Sequence, residues 1–343
     1  MIPIKDEGII LEATDLPFEN EAVLNPTCIE ANGITHMFYR AVRKNDFISS
    51  IGYCQIDENG KAVNRLARPV LVPEHDFEKK GVEDPRVVFL DGIYYLFYTA
   101  YDGKNALVAY ATSKDLARFE KQGIISARFT YDEAEDIFRQ SKVRERYRFF
   151  ESVLKKRLGK DVLLWEKDAF IFPKKINGKF ALIHRVLPGI HIAYFNSFSE
   201  LNDNYWRKYF LELDKYIILD PKYEFESQKI GAGAVPIETE DGWLLIYHAV
   251  EDSKYGKIYH ASAALLDRDD PAQAIGRLRE PLFSPKEEWE KEGIVNNVVF
   301  PTGCVVRGGR LFIYYGASDK LIAAKSIDLK SLLSELKNNI VLN

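Results

Sequence analysis

The residues with the clearest capacity for chemistry are acids and cations at the starts of short apolar stretches. The sharpest is Asp84 in GVEDPRVVF, residues 81–89. Pro85 restricts the residue before it to extended or turn backbone, which keeps Asp84 out of a helix. A carboxyl held there can donate a proton or simply bond backbone amides at the strand start. Arg86 follows two places on, and Asn25 and Asp168 stand at comparable starts, in NPTCIE and DAFIFPKKI. Arg40 and Arg185 occupy matching places on later strands. Carboxylates and guanidinium groups are costly to bury unless they are paired or used. Such a set either staples neighbouring elements together as ion pairs or converges on a ligand, and its size favours the ligand.

Other chemistries find little support. The six histidines show no HExxH or other tight ligand spacing, so no catalytic metal is expected. GAGAVP (231–236) lacks the Lys-Ser/Thr of a phosphate-binding loop; its glycines instead let the backbone pass close to an axis. Cys28, Cys54 and Cys304 have no CxxC spacing and read as small buried hydrophobes kept reduced. The net charge of -4 argues against a nucleic-acid or anionic-membrane partner. No run is apolar enough to span a bilayer. MIPIKDEGIILEATD carries acids where a signal peptide needs a basic start and an apolar core, so a cytoplasmic protein is expected. Aromatic residues make up 13% of the chain, which suits strands and also suits stacking on sugar rings. His191, in RVLPGIH, lies beyond a Pro-Gly turn from Arg185, where it either meets a sugar hydroxyl or fills a strand.

The elements that must position these residues repeat. NGITHMFYRAV (32–42), DGIYYLFYTAY (91–101), NGKFALIHRVL (177–187), DGWLLIYHAVE (241–251) and GGRLFIYYGAS (308–318) each pair a turn glycine with an aromatic-rich strand. Asn-Gly, Asp-Gly and Gly-Gly favour tight hairpins, whose central residues need positive φ. Seven places after each glycine come Arg40, Thr99, Arg185, Ala249 and Gly316; one place earlier come Tyr39, Tyr98, His184, His248 and Tyr315. Eight places before the glycine stand Asn25, Asp84, Ala234 and Pro301, with Asp168 ten before its own. A strand precedes each turn and another follows most of them. Five small antiparallel sheets closed in a ring predict an all-β, five-bladed β-propeller that occupies 1–343 as one domain. The starts of its inner strands would then point at one channel.

One segment departs from this rhythm. Residues 132–160 place Val143, Tyr147, Phe150, Leu154 and Leu158 at spacings of three and four, which predicts an amphipathic helix inserted between blades two and three. There it could shape the substrate entrance. A short second helix is expected at about 328–338.

These residues resemble glycoside hydrolase family 130, the β-mannoside phosphorylases and their hydrolytic relatives, from about Asn25 to Asp328. The resemblance is carried by NP at 25–26, YRA at 39–41, GVEDPR at 81–86, KDAFIFPKKINGK at 167–179, HR at 184–185, KIGAGAVP at 229–236, IYHA at 246–249, PTG at 301–303 and YYGASD at 314–319. It implies a five-bladed propeller and an inverting phosphorylase in which inorganic phosphate, as co-substrate, releases α-mannose 1-phosphate from a β-linked mannoside. No further cofactor is implied. Asp84 would be the acid, its proton relayed through a hydroxyl of the mannosyl ring. Asn25, Arg40 and Asp319 would hold that ring, with Arg86 beside them. Lys167, Arg185, Lys229 and Tyr259 would hold phosphate, and His191 would lie near the acceptor sugar. The partners expected are thus an oligosaccharide and phosphate, with a homo-oligomer left open. β-1,2-linked mannobiose or short oligomannosides are the expected substrates.

An inverting enzyme needs an acid on one face and a nucleophile on the other. A phosphorylase replaces the base-and-water half with a cationic cradle. The competing reading is an inverting β-mannosidase on the same scaffold, with Asp168 or Glu226 as the base. A furanosidase-type propeller would need a clear Asp, Asp, Glu set on successive inner strands. A sugar-binding propeller without turnover would use the aromatics but not the buried acid.

Overall fold

The computed structural model describes residues 2–159, 161–254 and 256–341. The protein is mostly β, with 21 strands among the described residues. They are β1 (Ile4–Leu11), β2 (Ala22–Ala31), β3 (Ile34–Val42), β4 (Ser49–Ile56), β5 (Ala62–Val63), β6 (Gly81–Leu90), β7 (Ile93–Tyr101), β8 (Ala106–Ser113) and β9 (Glu120–Ile124). After helices α1 (Tyr131–Gln140) and α2 (Glu145–Leu158) come β10 (Lys167–Ile171), β11 (Phe180–Arg185), β12 (Ile190–Phe195), α3 (Asp203–Leu211) and β13 (Ile217–Leu219). Then follow β14 (Lys229–Ala232), β15 (Ile237–Thr239), β16 (Gly242–Ser253), β17 (Gly256–Leu266), β18 (Ala274–Arg277) and α4 (Glu288–Lys291). The chain closes with β19 (Val299–Arg307), β20 (Arg310–Ala317), β21 (Leu321–Asp328) and α5 (Leu329–Asn338).

These strands form five antiparallel units. β2–β5 make the first and β6–β9 the second, whose strands meet at the parallel bridge Ser49–Gly81. β10–β13 make the third and β14–β18 the fourth. In the fifth, β19, β20 and β21 are completed by β1, the first strand of the chain. Hydrophobic clusters bind neighbouring units. Phe38 and Ile51 pack with Val87 and Leu96 between the first and second. Ile246 and Ala263 pack with Ile313 and Ala323 between the fourth and fifth. Met37 and Tyr39 meet Tyr314 and Ile322 between the first and fifth.

A second device repeats in every unit: a buried glutamate clasped by an aromatic side chain of the central strand. Tyr39 donates to Glu19 at 2.8 Å, Tyr98 to Glu78 at 3.0 Å, Tyr247 to Glu226 at 2.8 Å and Tyr315 to Glu290 at 2.6 Å. In these four units a cation completes the cluster: Arg65, Lys121, Arg277 and Lys325 respectively. The third unit uses His184, whose Nδ1 lies 2.9 Å from Glu166, with Tyr209 on its other nitrogen.

Two sequence expectations need correction. The segment after β9 is two helices rather than one. Thr130 caps α1 through a box with Glu133, and α1 ends at Ser141, whose backbone is extended. Val143 therefore lies in the link, not on a helix face, while the side chains of Leu154 and Leu158 lie outside the described residues. In the fourth unit, Thr239 pairs with Gly242, so the hairpin turn is Glu240-Asp241 and Gly242 already belongs to the strand. The repeat columns there slip by one. His248, not Ala249, matches Arg40 and Arg185, and Tyr247 takes the glutamate-clasping place. Ala234 lies in the link between β14 and β15.

Candidate active site

The inner strands of the first three units are bent in the same way. In β2 the register skips between Leu24 and Thr27, in β6 between Glu83 and Arg86, and in β10 between Lys167 and Phe170. Each skip contains one residue in left-handed backbone: Asn25 (φ 48°), Asp84 (φ 52°) and Asp168 (φ 55°). Asn and Asp tolerate this conformation better than other side chains, and a bulge re-aims the residue it contains. Glycines make room elsewhere. A Cβ on Gly231 would collide with Asp168 and His248, and one on Gly316 with Asn25.

The result is a cavity of about 350 Å³ lined from all five units. Asn25 and Arg40 come from the first, Asp84 from the second, and Lys167, Asp168 and Arg185 from the third. Lys229, His248, Lys257 and Tyr259 come from the fourth, and Phe300 and Asp319 from the fifth. Of the residues nominated from the sequence, Asn25, Arg40, Asp84, Lys167, Asp168, Arg185, Lys229, Tyr259 and Asp319 line this wall, whereas Arg86 and His191 do not. Arg86 lies behind it. Its Nε donates to the carbonyl of Gly233 at 2.6 Å, and its Nη1 donates to the carbonyls of Asp84 and Pro85. It braces the wall across units instead of facing the cavity. His191 is fully buried, with Nε2 3.0 Å from the Tyr147 hydroxyl. Burial, aided by His184, pushes its pKa well below the usual value, as expected of a neutral residue filling a strand.

Around Asp84, Asn25 Nδ2 donates to Oδ1 at 2.8 Å and Arg40 Nη1 lies 3.5 Å away. Arg40 also pairs with Glu83 at 2.7 Å, and Lys167 approaches Glu83 at 3.5 Å. Burial pushes the Asp84 carboxyl upward, but Arg40, Lys167, Asn25 and Arg86 together hold it below its usual range. Asp319 differs. Burial pushes it up to about 6, which Arg40 opposes and Asp84 reinforces.

On the other side, Arg185 Nη1 lies 2.5 Å from Asp168 Oδ2 and 3.4 Å from His248 Nε2. Arg86 Nη2 stands 3.9 Å from Asp168 Oδ1. Lys229 has its pKa lowered to about 7 by burial and by Arg185, Lys257 and Lys167, against the pull of Asp168. Burial likewise depresses His248, so it is a neutral ring beside these cations. Asp168 therefore already faces two guanidinium groups, and Glu226 is held by Tyr247 and Arg277 outside the cavity. Both carboxylates are thus ion-paired with guanidinium groups, Asp168 within the lining and Glu226 outside it. The wall also contains His248, Lys257, Trp165 and Phe300, which the motifs had not singled out. His248 was recoverable from the repeat once the shorter fourth turn was allowed for.

Comparison with known proteins bears on the family of the chain. The family profile described as beta-1,4-mannooligosaccharide phosphorylase (glycoside hydrolase family 130) matches residues 7–338. The chain is 32% identical over 338 residues to a 1,2-beta-oligomannan phosphorylase of Thermoanaerobacter sp. (strain X514), covering 96% of this chain and 97% of that one. It is 34% identical over 341 residues to a beta-1,2-mannobiose phosphorylase of the same organism, covering 95% and 96%. The crystal structure of the beta-1,2-mannobiose phosphorylase from Listeria innocua, in complex with beta-1,2-mannobiose, superposes with a TM-score of 0.74 at 22% identity, over 98% of this chain and 100% of that one. That last likeness is one of fold. With a profile match and two relatives spanning nearly its whole length, the chain belongs to glycoside hydrolase family 130.

Proposed function

We propose that this protein cleaves β-linked mannosides with inorganic phosphate, inverting the anomeric carbon to give α-mannose 1-phosphate and a shortened sugar. β-1,2-linked mannobiose and short oligomannosides, named for the relatives above, are the substrates we infer. The scaffold we infer is a five-bladed β-propeller. Five antiparallel units, clusters that join the first unit to the fifth, and one cavity lined from all five support it.

The observation that carries the reading is the pairing of Asp84 with a cationic wall whose other buried carboxylate, Asp168, faces two guanidinium groups. Lys167, Arg185 and Lys229 share one cavity, with Tyr259 adding a neutral donor. Phosphate needs several such donors to replace its water. Its oxygen attacks the anomeric carbon while the glycosidic bond breaks, and the leaving oxygen gains the proton that Asp84 supplies through a ring hydroxyl. Asn25, Arg40 and Asp319 would hold the mannosyl ring. The resting Asp84 is ionised, yet burial is the largest influence on it. A bound sugar that strips away more water shifts it toward the protonated form that an acid needs. Product identity tests the reading. Mannose 1-phosphate formed only in the presence of phosphate supports it; free mannose at the same rate without phosphate overturns it.

No helix among the described residues is long and apolar enough to cross a membrane. A cytoplasmic location fits a phosphorylated sugar product, which is useful inside the cell, and fractionation of the source cells checks it.

A further inference from the structure

Helix α2 is fastened by one side and faces the cavity with another. Arg146 donates to the carbonyls of Ser227 and Gln228, next to Lys229 in the chain. Tyr147 donates to Asp220 at 2.6 Å, and Arg144 stands 3.4 Å from the same carboxylate. These contacts lie at the start of the helix and hold it over the third and fourth units. Phe150, Val153 and Arg157 follow at spacings of three and four, which is one helical face. All three line the cavity.

The wall they form differs in chemistry from the floor. Asn25, Asp84, Asp168 and Arg185 lie at the bottom, little exposed, and the floor is ionic. Val153 is 46% exposed and Arg157 is exposed, so α2 stands toward the mouth. Trp165, Leu187 and Val295 complete that outer part of the lining. No hydrogen bond or ion pair engages the Arg157 guanidinium among the described residues. A pyranose ring offers an apolar C–H face and a rim of hydroxyls. An aromatic and aliphatic strip ending in a planar guanidinium fork matches both.

We propose that this face of α2 is the acceptor subsite, with Phe150 and Val153 packing on the leaving sugar and Arg157 donating to its hydroxyls. The proposal rests on the phosphorolysis reading. The sugar being transferred must reach Asp84, Arg40 and Asp319 on the floor. The part that leaves then lies toward the mouth, against the helix. α2 is thereby a specificity element: it governs which acceptor is bound and does not touch the reacting phosphate.

The test is synthesis in reverse, from α-mannose 1-phosphate and free mannose or mannobiose as acceptor. Phe150→Ala and Arg157→Ala should each raise the acceptor KM by about tenfold, the effect of removing one stacking or charged group. The KM for mannose 1-phosphate should stay within about twofold of wild type, since both side chains stand away from the phosphate cradle. Phe150→Trp should restore acceptor affinity. Lys156→Ala, on an exposed residue of the same helix outside the lining, should move neither constant. An unchanged acceptor KM in both alanine variants, with wild-type helix content by circular dichroism, overturns the helix assignment and leaves phosphorolysis standing. So does an equal rise in both constants. A wild-type enzyme that makes no product from mannose 1-phosphate with any acceptor overturns both.

Discussion

Two sets of buried polar groups run through this molecule, and they are finished differently. Glu19, Glu78, Glu226 and Glu290 each accept a tyrosine hydroxyl and face a cation. Backbone amides close several of these clusters: Glu226 takes those of Lys222 and Tyr223, and Glu290 those of Lys286 and Glu287. The set at and just behind the cavity wall is left open. Asn25 Oδ1, Arg86 Nη2, Asp168 Oδ2, Arg185 Nε and His248 Nδ1 are buried without a hydrogen-bond partner among the described residues. Even the close Arg185–Asp168 pair is an ion pair by distance that makes no hydrogen bond at that oxygen. Orphaned buried polar atoms are costly. A saturated glutamate holds a unit together, whereas an unsaturated cluster holds a place for a ligand.

The contrast can be broken most directly at Asp84. Asp84→Asn keeps the shape and removes the proton, so turnover should fall by on the order of a hundred- to ten-thousand-fold with unfolding unchanged. Retention of more than about a tenth of the rate means that Asp84 is not the acid. Glu226→Ala should do the converse. It strands Arg277 in the core and should lower stability by about 3–5 kcal/mol in urea unfolding. The fraction that remains folded should still make mannose 1-phosphate; selective loss of turnover in a stable variant would return Glu226 to the chemistry. Arg185→Ala should weaken phosphate use by about 2–5 kcal/mol, read as phosphate KM, while inhibition by mannose persists.

The smallest effect should be one of pH. Lys229 has an ordinary value of 10.5 and sits near 7 in the folded, phosphate-free site. Phosphate favours its charged form. The phosphate KM should therefore rise above pH 7, by up to about tenfold per unit, and Lys229→Arg should flatten that rise because arginine stays charged. Stability without phosphate moves the other way. Between about 7 and 10.5 the folded state binds fewer protons at Lys229 than the unfolded state does, so this group's contribution to stability increases across that window. A flat phosphate KM from about pH 6 to about pH 9 would remove Lys229 from the phosphate contact.

Much of this was legible in the sequence, because turn chemistry and short-range spacing are local. Four of the five hairpins, the Asp84–Pro85 start and the matching places of Arg40 and Arg185 follow from neighbours in the chain, whereas Lys167 and Lys229 came only from the family resemblance. What was lost depended on register. Reading Asp241-Gly242 as the turn moved the fourth unit by one residue, and one residue exchanges the two faces of a strand. That slip hid His248 behind Ala249. Arg86 and His191 were nominated for the sugar site and lie buried outside the cavity lining, because type and spacing do not reveal which side of a wall a side chain occupies. The break between α1 and α2 was masked by apolar residues that keep helical spacing through a non-helical link.

β1 has a consequence for how the chain is made. It is an outer strand of a sheet whose other members are β19–β21, and its partner β21 begins 310 positions after Leu11 (321 − 11). At ribosomal rates of about 5–20 residues per second, roughly 15–60 s separate the synthesis of the two strands. A strand made so long before its partner is thus among the last to find its hydrogen bonds. Until then four units can be assembled while the fifth waits, and Ile4–Leu11 remains an unpaired edge open to other chains.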